Sequence, residues 1–207
     1  MSINIVGLGV GNLDYITEIA KKKLIDSNII IGGERQLKDI SSIVTSQKLY
    51  RLKKLDDMKI YVDNNINKKI CFIVSGDTGF YSLVSYLKKF YKEEIDSIIP
   101  GISSFQYLFS RIGETWEYYN LYSIHGRNLD FIKELEKSKK GIILLTDKKN
   151  SPRYVGGQLY KEKYYDVEMI IGENLSYENE KIERFKISDL KENIRDYEIN
   201  VLILKKG

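Results

Sequence analysis

The residue types best suited to binding a ligand surround Asp77, in the run Ser75-Gly76-Asp77-Thr78-Gly79. Residues 70–74 before it form an apolar run that predicts a buried strand, and a helical pattern begins near Tyr81. In a parallel α/β sheet such a corner lies at the carboxyl ends of the strands, where ligands bind. The Asp77 carboxylate can there accept hydrogen bonds from a ligand hydroxyl or amine. An ordinary turn, in which the carboxylate caps its own backbone, fits the same residues.

A glycine-rich corner also follows the first apolar run of the chain. Residues 3–6 predict a strand, and the loop Gly7-Leu8-Gly9-Val10-Gly11 comes directly after it. One interpretation is a dinucleotide-binding fingerprint, with Glu34 after the second strand as the ribose ligand. That fingerprint requires a third glycine at the position of Asn12. The match is therefore partial, and a dinucleotide-binding protein remains as an alternative.

Two further corners carry groups that could contact a ligand. Ser103 or Ser104 is the predicted N-cap of a helix, whose free N–H groups equally form a ligand-binding edge. His125 is the single imidazole of the chain and could act as a general base or as a hydrogen-bonding partner of the substrate. The guanidinium of Arg127 offers a fork that matches a carboxylate, although a solvent-facing helix start is the ordinary alternative.

The elements that must position these corners alternate between strands and helices, which predicts an α/β protein. Apolar or alternating runs that predict strands occupy residues 3–6, 28–31, 70–74, 95–99, 121–124, 142–145, 167–171, 182–187 and 200–204. Residues 113–117 form the best candidate hinge, so we predict two α/β lobes, 1–112 and 113–207. Residues 37–67 mix short helical patterns with polar loops and receive no assignment.

Composition excludes several classes of protein. The 33 basic and 29 acidic residues are scattered, so the sequence lacks the basic stripe of a nucleic-acid-binding protein. One cysteine, Cys71, and one histidine allow neither a disulfide framework nor a thiolate or histidine metal cluster, so no metal site is predicted. No apolar run approaches the ~18 residues of a membrane span, and no signal peptide is apparent. We therefore expect a cytoplasmic protein without a membrane partner.

Taken together, the corner motifs resemble those of the tetrapyrrole methylase family. The run 7–11 with 14–17 resembles its opening signature, 76–82 its second, and 100–104 its third. The runs that narrow the match are Ser123–Arg127, Leu145–Asp147, Asn150–Pro152 and Gly172–Tyr177. They are similar to the branch that methylates carbon 5 of cobalt-precorrin-7 in cobalamin biosynthesis. The departures are Val10, Leu13 and Thr78, where the family commonly has proline; their loss should loosen turns rather than remove a functional group.

The resemblance implies a two-lobed class III methyltransferase that uses S-adenosylmethionine and releases S-adenosylhomocysteine. Each lobe would be a mixed sheet flanked by helices, with the cofactor folded in the cleft between lobes and the tetrapyrrole in a neighbouring trough. The cofactor-binding residues carried over are Val10, Asp77, Phe80, Ser103, Ser104, Leu145, Asn174 and Asn200. The substrate-binding residues are Gly9, Gly11 and Arg127, and His125 is the candidate catalytic base.

The resemblance also implies a homodimer whose substrate is cobalt-precorrin-7 and whose functional partner is the carbon-15 methyltransferase and decarboxylase. Two alternatives stay open beside it. A sister enzyme would keep the cofactor but methylate another precorrin, a protein or ribosomal RNA. A dinucleotide-binding protein would instead be stabilised by NAD and not by S-adenosylhomocysteine.

Overall fold

The computed structural model describes residues 2–190 and 195–207, and its chain divides into two compact units between Ser104 and Phe105. The sequence predicts a division after Ile112 instead. The difference is one helix, Ser104–Ile112, whose aromatic side chains pack within the second unit. The ring of Phe109, for example, meets that of Tyr119 edge-on at 5.1 Å between centroids.

The described residues of the first unit form a five-stranded sheet and four α-helices. Its strands are β1 (Ser2–Gly7), β2 (Ile29–Gly32), β3 (Lys48–Arg51), β4 (Lys69–Val74) and β5 (Ile95–Ile99). Its helices are α1 (Glu18–Ile25), α2 (Glu34–Asp39), α3 (Leu55–Asp63) and α4 (Val84–Tyr91). The strand order is β3-β2-β4-β1-β5, and every pair of these strands is parallel. The expected mixed sheet is therefore wrong for this unit. A helix separates each strand from the next and returns the chain to the same end of the sheet.

Side-chain alternation along these strands builds the two apolar layers of the first unit. On β1, Ile3 and Ile5 join a cluster with residues of α3 and α4, whereas Val6 joins a cluster with residues of α1 and α2. Successive strand residues point to opposite faces, so the sheet is buried on both sides. Cys71 lies fully buried in this core, as its apolar surroundings in the sequence predict.

The second unit is a mixed five-stranded sheet, as expected. Its elements are α5 (Ser104–Ile112), which spans the division, β6 (Tyr119–Ser123), α6 (Phe131–Lys137), β7 (Gly141–Leu145), α7 (Pro152–Lys161), β8 (Glu168–Glu173), β9 (Lys181–Lys186) and β10 (Asn200–Lys205). The strand order is β6-β7-β10-β8-β9, in which β6 and β7 are parallel and the other neighbouring pairs are antiparallel. One face is covered by α6 and α7, whose Phe131, Leu135, Val155 and Leu159 pack in the core.

Local signals placed the starts of α1 and α7. The hydroxyl of Thr17 accepts a hydrogen bond from the Ala20 N–H at 3.3 Å and caps α1, as predicted. Ser151 caps α7 in the same way, with Pro152 in the first turn. Helix α4 begins at Val84 rather than near Tyr81, because Tyr81 has a left-handed φ of 49°.

The unassigned stretch 37–67 contains β3 and α3. Strand β3 is exposed along most of its length at the edge of the sheet, so it lacks the apolar run that marks a buried strand. Among residues 2–190 and 195–207, no helix is both long and apolar enough to span a bilayer.

Candidate functional site

Three loops of the first unit meet where β1, β4 and β5 end. Gly9 and Gly76 exchange two backbone hydrogen bonds, at 3.1 and 2.8 Å, and so join the loops after β1 and β4. A Cβ added to Gly7 would lie 2.6 Å from both the Gly101 nitrogen and the Gly76 oxygen. The three backbones are thus in direct contact, and no side chain fits between them. The corners around Gly9, Asp77 and Ser103, widely separated in the sequence, form one edge of this unit.

The Asp77 carboxylate holds two of these loops together. Its Oδ1 accepts a hydrogen bond from the Gly79 N–H at 2.7 Å, which is the Asx turn that the sequence allows. Its Oδ2 accepts a longer one from the Gly101 N–H at 3.4 Å. Each carboxylate oxygen can accept a second hydrogen bond, so this half-buried group also retains capacity for a ligand.

The other predicted residues of the first unit differ in how open they are. Val10 is only 7% exposed, and the residue Gly9 before it is buried as well, so little of their surface is available to a ligand. Gly11 is half-buried, with a φ of +119° that favours glycine. The half-buried ring of Phe80 packs edge-on against the exposed Tyr81, with centroids 4.5 Å apart.

The two predicted serines lie at the start of α5. This helix begins at Ser104, and both Ser103 and Ser104 are half-buried. The Cα of Ser103 would be 3.6 Å from a Cβ on Gly76, so this serine lies directly beside the Gly-Asp corner.

In the second unit, β6, β7 and β8 end at the edge where β10 begins. In the strand register, Leu145 pairs with both Ser123 and Val201, and Asn200 pairs with Glu173. The predicted residues Leu145, Asn174 and Asn200 therefore lie along one edge of this sheet, next to the loop 124–127.

Hydrogen bonds connect these positions side by side. The Thr146 hydroxyl donates to Asn200 Oδ1 at 2.7 Å, and Asn200 Nδ2 donates to the Glu198 carbonyl at 2.8 Å. Asn174, buried and with a φ of 47°, donates from Nδ2 to Glu198 Oε2 at 2.6 Å. Glu198 thus bridges the two asparagines.

His125 belongs to the same chain of contacts. Its Nδ1 lies 3.1 Å from the Thr146 carbonyl oxygen, and the imidazole is exposed. Because a carbonyl oxygen only accepts hydrogen bonds, Nδ1 carries the hydrogen and Nε2 is the basic nitrogen of the neutral ring. In this tautomer Nε2 is the ring nitrogen that can accept a proton.

Asp147 and Asn150 clamp the loop that carries His125. The Asp147 carboxylate accepts hydrogen bonds from the Asn150 N–H at 2.6 Å and the Gly126 N–H at 2.5 Å. These two backbone bonds, that from Asn150 first, lower the pKa of Asp147. Asn150 Nδ2 also donates to the Ile124 carbonyl at 2.6 Å. The motif Leu145-Thr146-Asp147 pointed to this region, but no role for Asp147 or Asn150 followed from the sequence.

Arg127 is exposed and borders a cavity of about 390 Å³ in the second unit. The cavity is lined by Ile124, Arg127, Asn128, Leu129, Asp130, Phe131, Asn150 and Tyr154. Its lining combines a cation, a carboxylate and two amides with apolar and aromatic side chains.

Residues 2–191, which are most of the chain, match the family model of the Tetrapyrrole (Corrin/Porphyrin) Methylases. The protein belongs to the tetrapyrrole methylase family. The resemblance drawn from the corner motifs is thus confirmed, and membership in this family replaces the dinucleotide interpretation. The acidic residue on which that interpretation relied, Glu34, is ion-paired with Arg51 at 2.6 Å.

Two relatives match this tetrapyrrole methylase almost end to end. The cobalt-precorrin-7 C(5)-methyltransferase of Salmonella typhimurium is 28% identical over 202 residues, covering 98% of each chain. The probable cobalt-precorrin-7 C(5)-methyltransferase of Methanocaldococcus jannaschii is 33% identical over 201 residues, covering 92% of this chain and 90% of its own.

A solved structure shares the fold. The uroporphyrin-III C-methyltransferase of Thermus thermophilus, crystallised in complex with S-adenosylhomocysteine, superposes with a TM-score of 0.77. The match covers 99% of this tetrapyrrole methylase and 92% of that chain at 13% identity. At that identity the likeness establishes the two-unit α/β fold, and only the fold.

The first unit also has contacts at its corner that the sequence did not indicate. Arg35 Nη2 donates to the Ser75 hydroxyl at 2.8 Å, and the amide of Gln36 donates to the same oxygen. Both residues lie in the first turn of α2 and connect it to the end of β4. No motif signalled them, because the bond joins segments 40 residues apart.

Proposed function

We propose that this tetrapyrrole methylase transfers the methyl group of S-adenosylmethionine to carbon 5 of cobalt-precorrin-7, a step of cobalamin biosynthesis. The observation that carries the proposal is the near end-to-end match, at 28% and 33% identity, to two relatives that bear this activity in their names. A shared fold alone would not select an acceptor, since one fold serves many substrates. The branch motifs at the strand ends support the same choice.

The proposed cofactor residues fit the chemistry of S-adenosylmethionine. That molecule carries a sulfonium and an ammonium group together with ribose hydroxyls and an adenine edge. The polar contacts proposed for it are a carboxylate (Asp77), two hydroxyls (Ser103 and Ser104) and two amides (Asn174 and Asn200). An anionic group with neutral hydrogen-bonding partners suits a cation that also presents donors and acceptors. Val10, Phe80 and Leu145 complete the proposed set.

The proposed reaction asks the protein mainly to align its two reactants. When bound, the cofactor would supply an electrophilic methyl group on sulfur, and the sulfur would keep the electron pair of that bond as a neutral thioether. The leaving group needs no proton, and an electron-rich ring carbon needs no side-chain nucleophile. Alignment of this kind is worth up to ~7–11 kcal/mol. The backbones of Gly7, Gly76 and Gly101 are in direct contact. These contacts favour a rigid loop edge, on which the reactants could be aligned.

We propose His125 as the group that removes the proton from the methylated carbon. Its Nδ1–H is held by the Thr146 carbonyl, which directs basicity to Nε2. The clamp of Asp147 and Asn150 around the same loop restricts where the ring can move.

Arg127 is the proposed contact for the carboxylates of the tetrapyrrole. The periphery of a precorrin carries acetate and propionate groups, and a guanidinium binds a carboxylate through two parallel hydrogen bonds. Gly9 and Gly11 are the proposed backbone contacts on the macrocycle. A homodimer, a cytoplasmic location and a partnership with the carbon-15 enzyme stay predictions.

The proposal is tested by incubating the purified chain with cobalt-precorrin-7 and methyl-labelled S-adenosylmethionine. We expect one labelled methyl group per macrocycle, at carbon 5 by NMR, and S-adenosylhomocysteine as the second product. Transfer to a different precorrin, to a protein or to ribosomal RNA would move the chain to a sister activity. Absence of S-adenosylhomocysteine binding would refute methyl transfer altogether.

A further inference from the structure

A carboxylate is buried at the end of β8 in the second unit. Glu173 is only 4% exposed, and its two oxygens receive two parallel hydrogen bonds from Arg195, at 3.0 and 2.7 Å. The Glu198 N–H donates a third, at 2.7 Å. A buried charge is tolerated only when it is paired and hydrogen-bonded. The buried carboxylate of Glu173 therefore holds the guanidinium of Arg195 beside the end of β8.

Arg195 is held from further sides as well. It donates to Glu183 of β9 from Nε at 3.0 Å and from Nη2 at 2.6 Å. Its guanidinium carbon lies 4.0 Å from the centre of the Tyr197 ring, whose hydroxyl donates to Glu183. The guanidinium therefore joins the segment 195–200 to both β8 and β9.

This segment carries the groups that hold the two asparagines proposed to bind the cofactor. The Ile199 carbonyl accepts a hydrogen bond from the Asn174 N–H at 2.9 Å, and the Glu198 carboxylate accepts one from the Asn174 side chain. Asn200 is bonded to the Glu198 carbonyl. Asn174 also adopts a left-handed φ of 47°, a conformation that asparagine tolerates better than most residues.

We infer that Arg195 is a positioning residue for cofactor binding, which acts by fastening the segment 195–200 against Glu173 so that Asn174 presents its amide correctly. The inference rests on the proposed function, because it takes Asn174 as a cofactor contact. Arg195 itself need not touch the cofactor. Its role follows from the two hydrogen bonds through which Asn174 depends on the segment that Arg195 anchors.

The test compares a variant that removes the ion pair without leaving Glu173 charged and buried with a variant that keeps the positive charge. Glu173→Gln with Arg195→Gln neutralises both partners, and Arg195→Lys keeps the charge but loses the fork. Arg184→Gln is the matched control, because Arg184 also joins two carboxylates of this unit, Glu114 and Glu168, away from the asparagines. Dissociation constants for S-adenosylhomocysteine are measured by calorimetry, well below each melting temperature.

We expect the neutral pair to weaken S-adenosylhomocysteine binding by about tenfold, Arg195→Lys to lie in between, and Arg184→Gln to stay within about twofold of the wild type. The KM for the tetrapyrrole should change less than that for the cofactor. A purely structural role would lower the melting temperature of the control and of the ion-pair variants alike, with no selective loss of affinity.

A double-mutant cycle with Asn174→Ala decides whether Arg195 acts through Asn174. In the Asn174→Ala background, loss of the ion pair should weaken binding by less than about threefold, since the contact it positions is already gone. The inference would be overturned if loss of the ion pair weakened binding equally with and without Asn174→Ala. It would also be overturned if the Glu173→Gln/Arg195→Gln variant bound with wild-type affinity. If the wild-type protein failed to bind S-adenosylhomocysteine, the proposed function would fail instead. If Asn174→Ala bound like the wild type, the inference would fail and the proposed activity would stand.

Discussion

Replacing Gly7 by alanine should separate the three loops at the end of the first sheet. The added Cβ would lie 2.6 Å from the Gly101 nitrogen and from the Gly76 oxygen, whereas ordinary contacts of a Cβ begin near 3.4 Å. Both neighbours are backbone atoms on different strand ends, so each must retreat by the difference, roughly 0.8 Å. Overpacking of this kind costs ~1–3 kcal/mol. We expect a loss of about 3 kcal/mol, since neither neighbour is a side chain that can rotate away.

The assay is urea unfolding followed by circular dichroism, with calorimetry of S-adenosylhomocysteine on the folded variant. Separation of the loops should also lengthen the contact between Asp77 and the Gly101 N–H, so we expect weaker binding under conditions in which the variant is folded. Gly157→Ala is the control. A Cβ there meets no atom within 4 Å, and alanine in a helix is favoured over glycine by ~0.5–1 kcal/mol. Equal unfolding midpoints for Gly7→Ala and the wild type would refute the close contact of the three loops.

Three further expectations concern the candidate site residues at the strand ends of the two sheets. Asp77→Ala should weaken S-adenosylhomocysteine binding about tenfold by calorimetry, while Asp26→Ala, which removes an exposed carboxylate paired with Lys69, should not; equal affinities would remove Asp77 from the site. Arg127→Gln should raise the KM for the tetrapyrrole and spare that for the cofactor, and the reverse pattern would place Arg127 elsewhere. Asp147→Asn should lower the free energy of unfolding at neutral pH, because only one of the two terminal atoms of an amide can accept a hydrogen bond from the N–H groups of Gly126 and Asn150. Since the pKa of Asp147 is lowered on folding, its stabilisation is present above the unfolded pKa of about 3.9 and is lost as the pH falls through the folded pKa. Melting temperatures of variant and wild type should therefore converge in acid, and a constant difference would contradict this reasoning.

The strands were the best predicted part of the fold. Runs such as residues 70–74 and 142–145 are apolar because the sheets are buried on both faces, and they mark their strands without ambiguity. Strand β3 escaped prediction for the converse reason, since an exposed edge strand needs few apolar side chains. The parallel pairing of the first unit followed from the order of its elements, whereas the mixed sheet expected from the resemblance was correct only for the second.

The corners of the candidate site were predicted through glycine and proline motifs, which are short and local. What those motifs do not convey is which groups hold the corners in place. Asp147 was part of a quoted motif, yet its hydrogen bond to Gly126 joins residues 21 positions apart. Arg195 belongs to no motif at all, and its partner Glu173 lies 22 positions away.

The amino-acid sequence by itself determined the family, the alternation of strands and helices, and the positions proposed to bind the cofactor and the substrate. These properties depend on residue type and on spacing along the chain, so they can be read without coordinates. Tertiary structure alone decided the contact of Gly7 with Gly101, the bridge that Glu198 makes to Asn174, and the pairing of Arg195 with Glu173. Such contacts depend on strand register and on side chains that meet across the sheet, and a local pattern does not encode the distance between them.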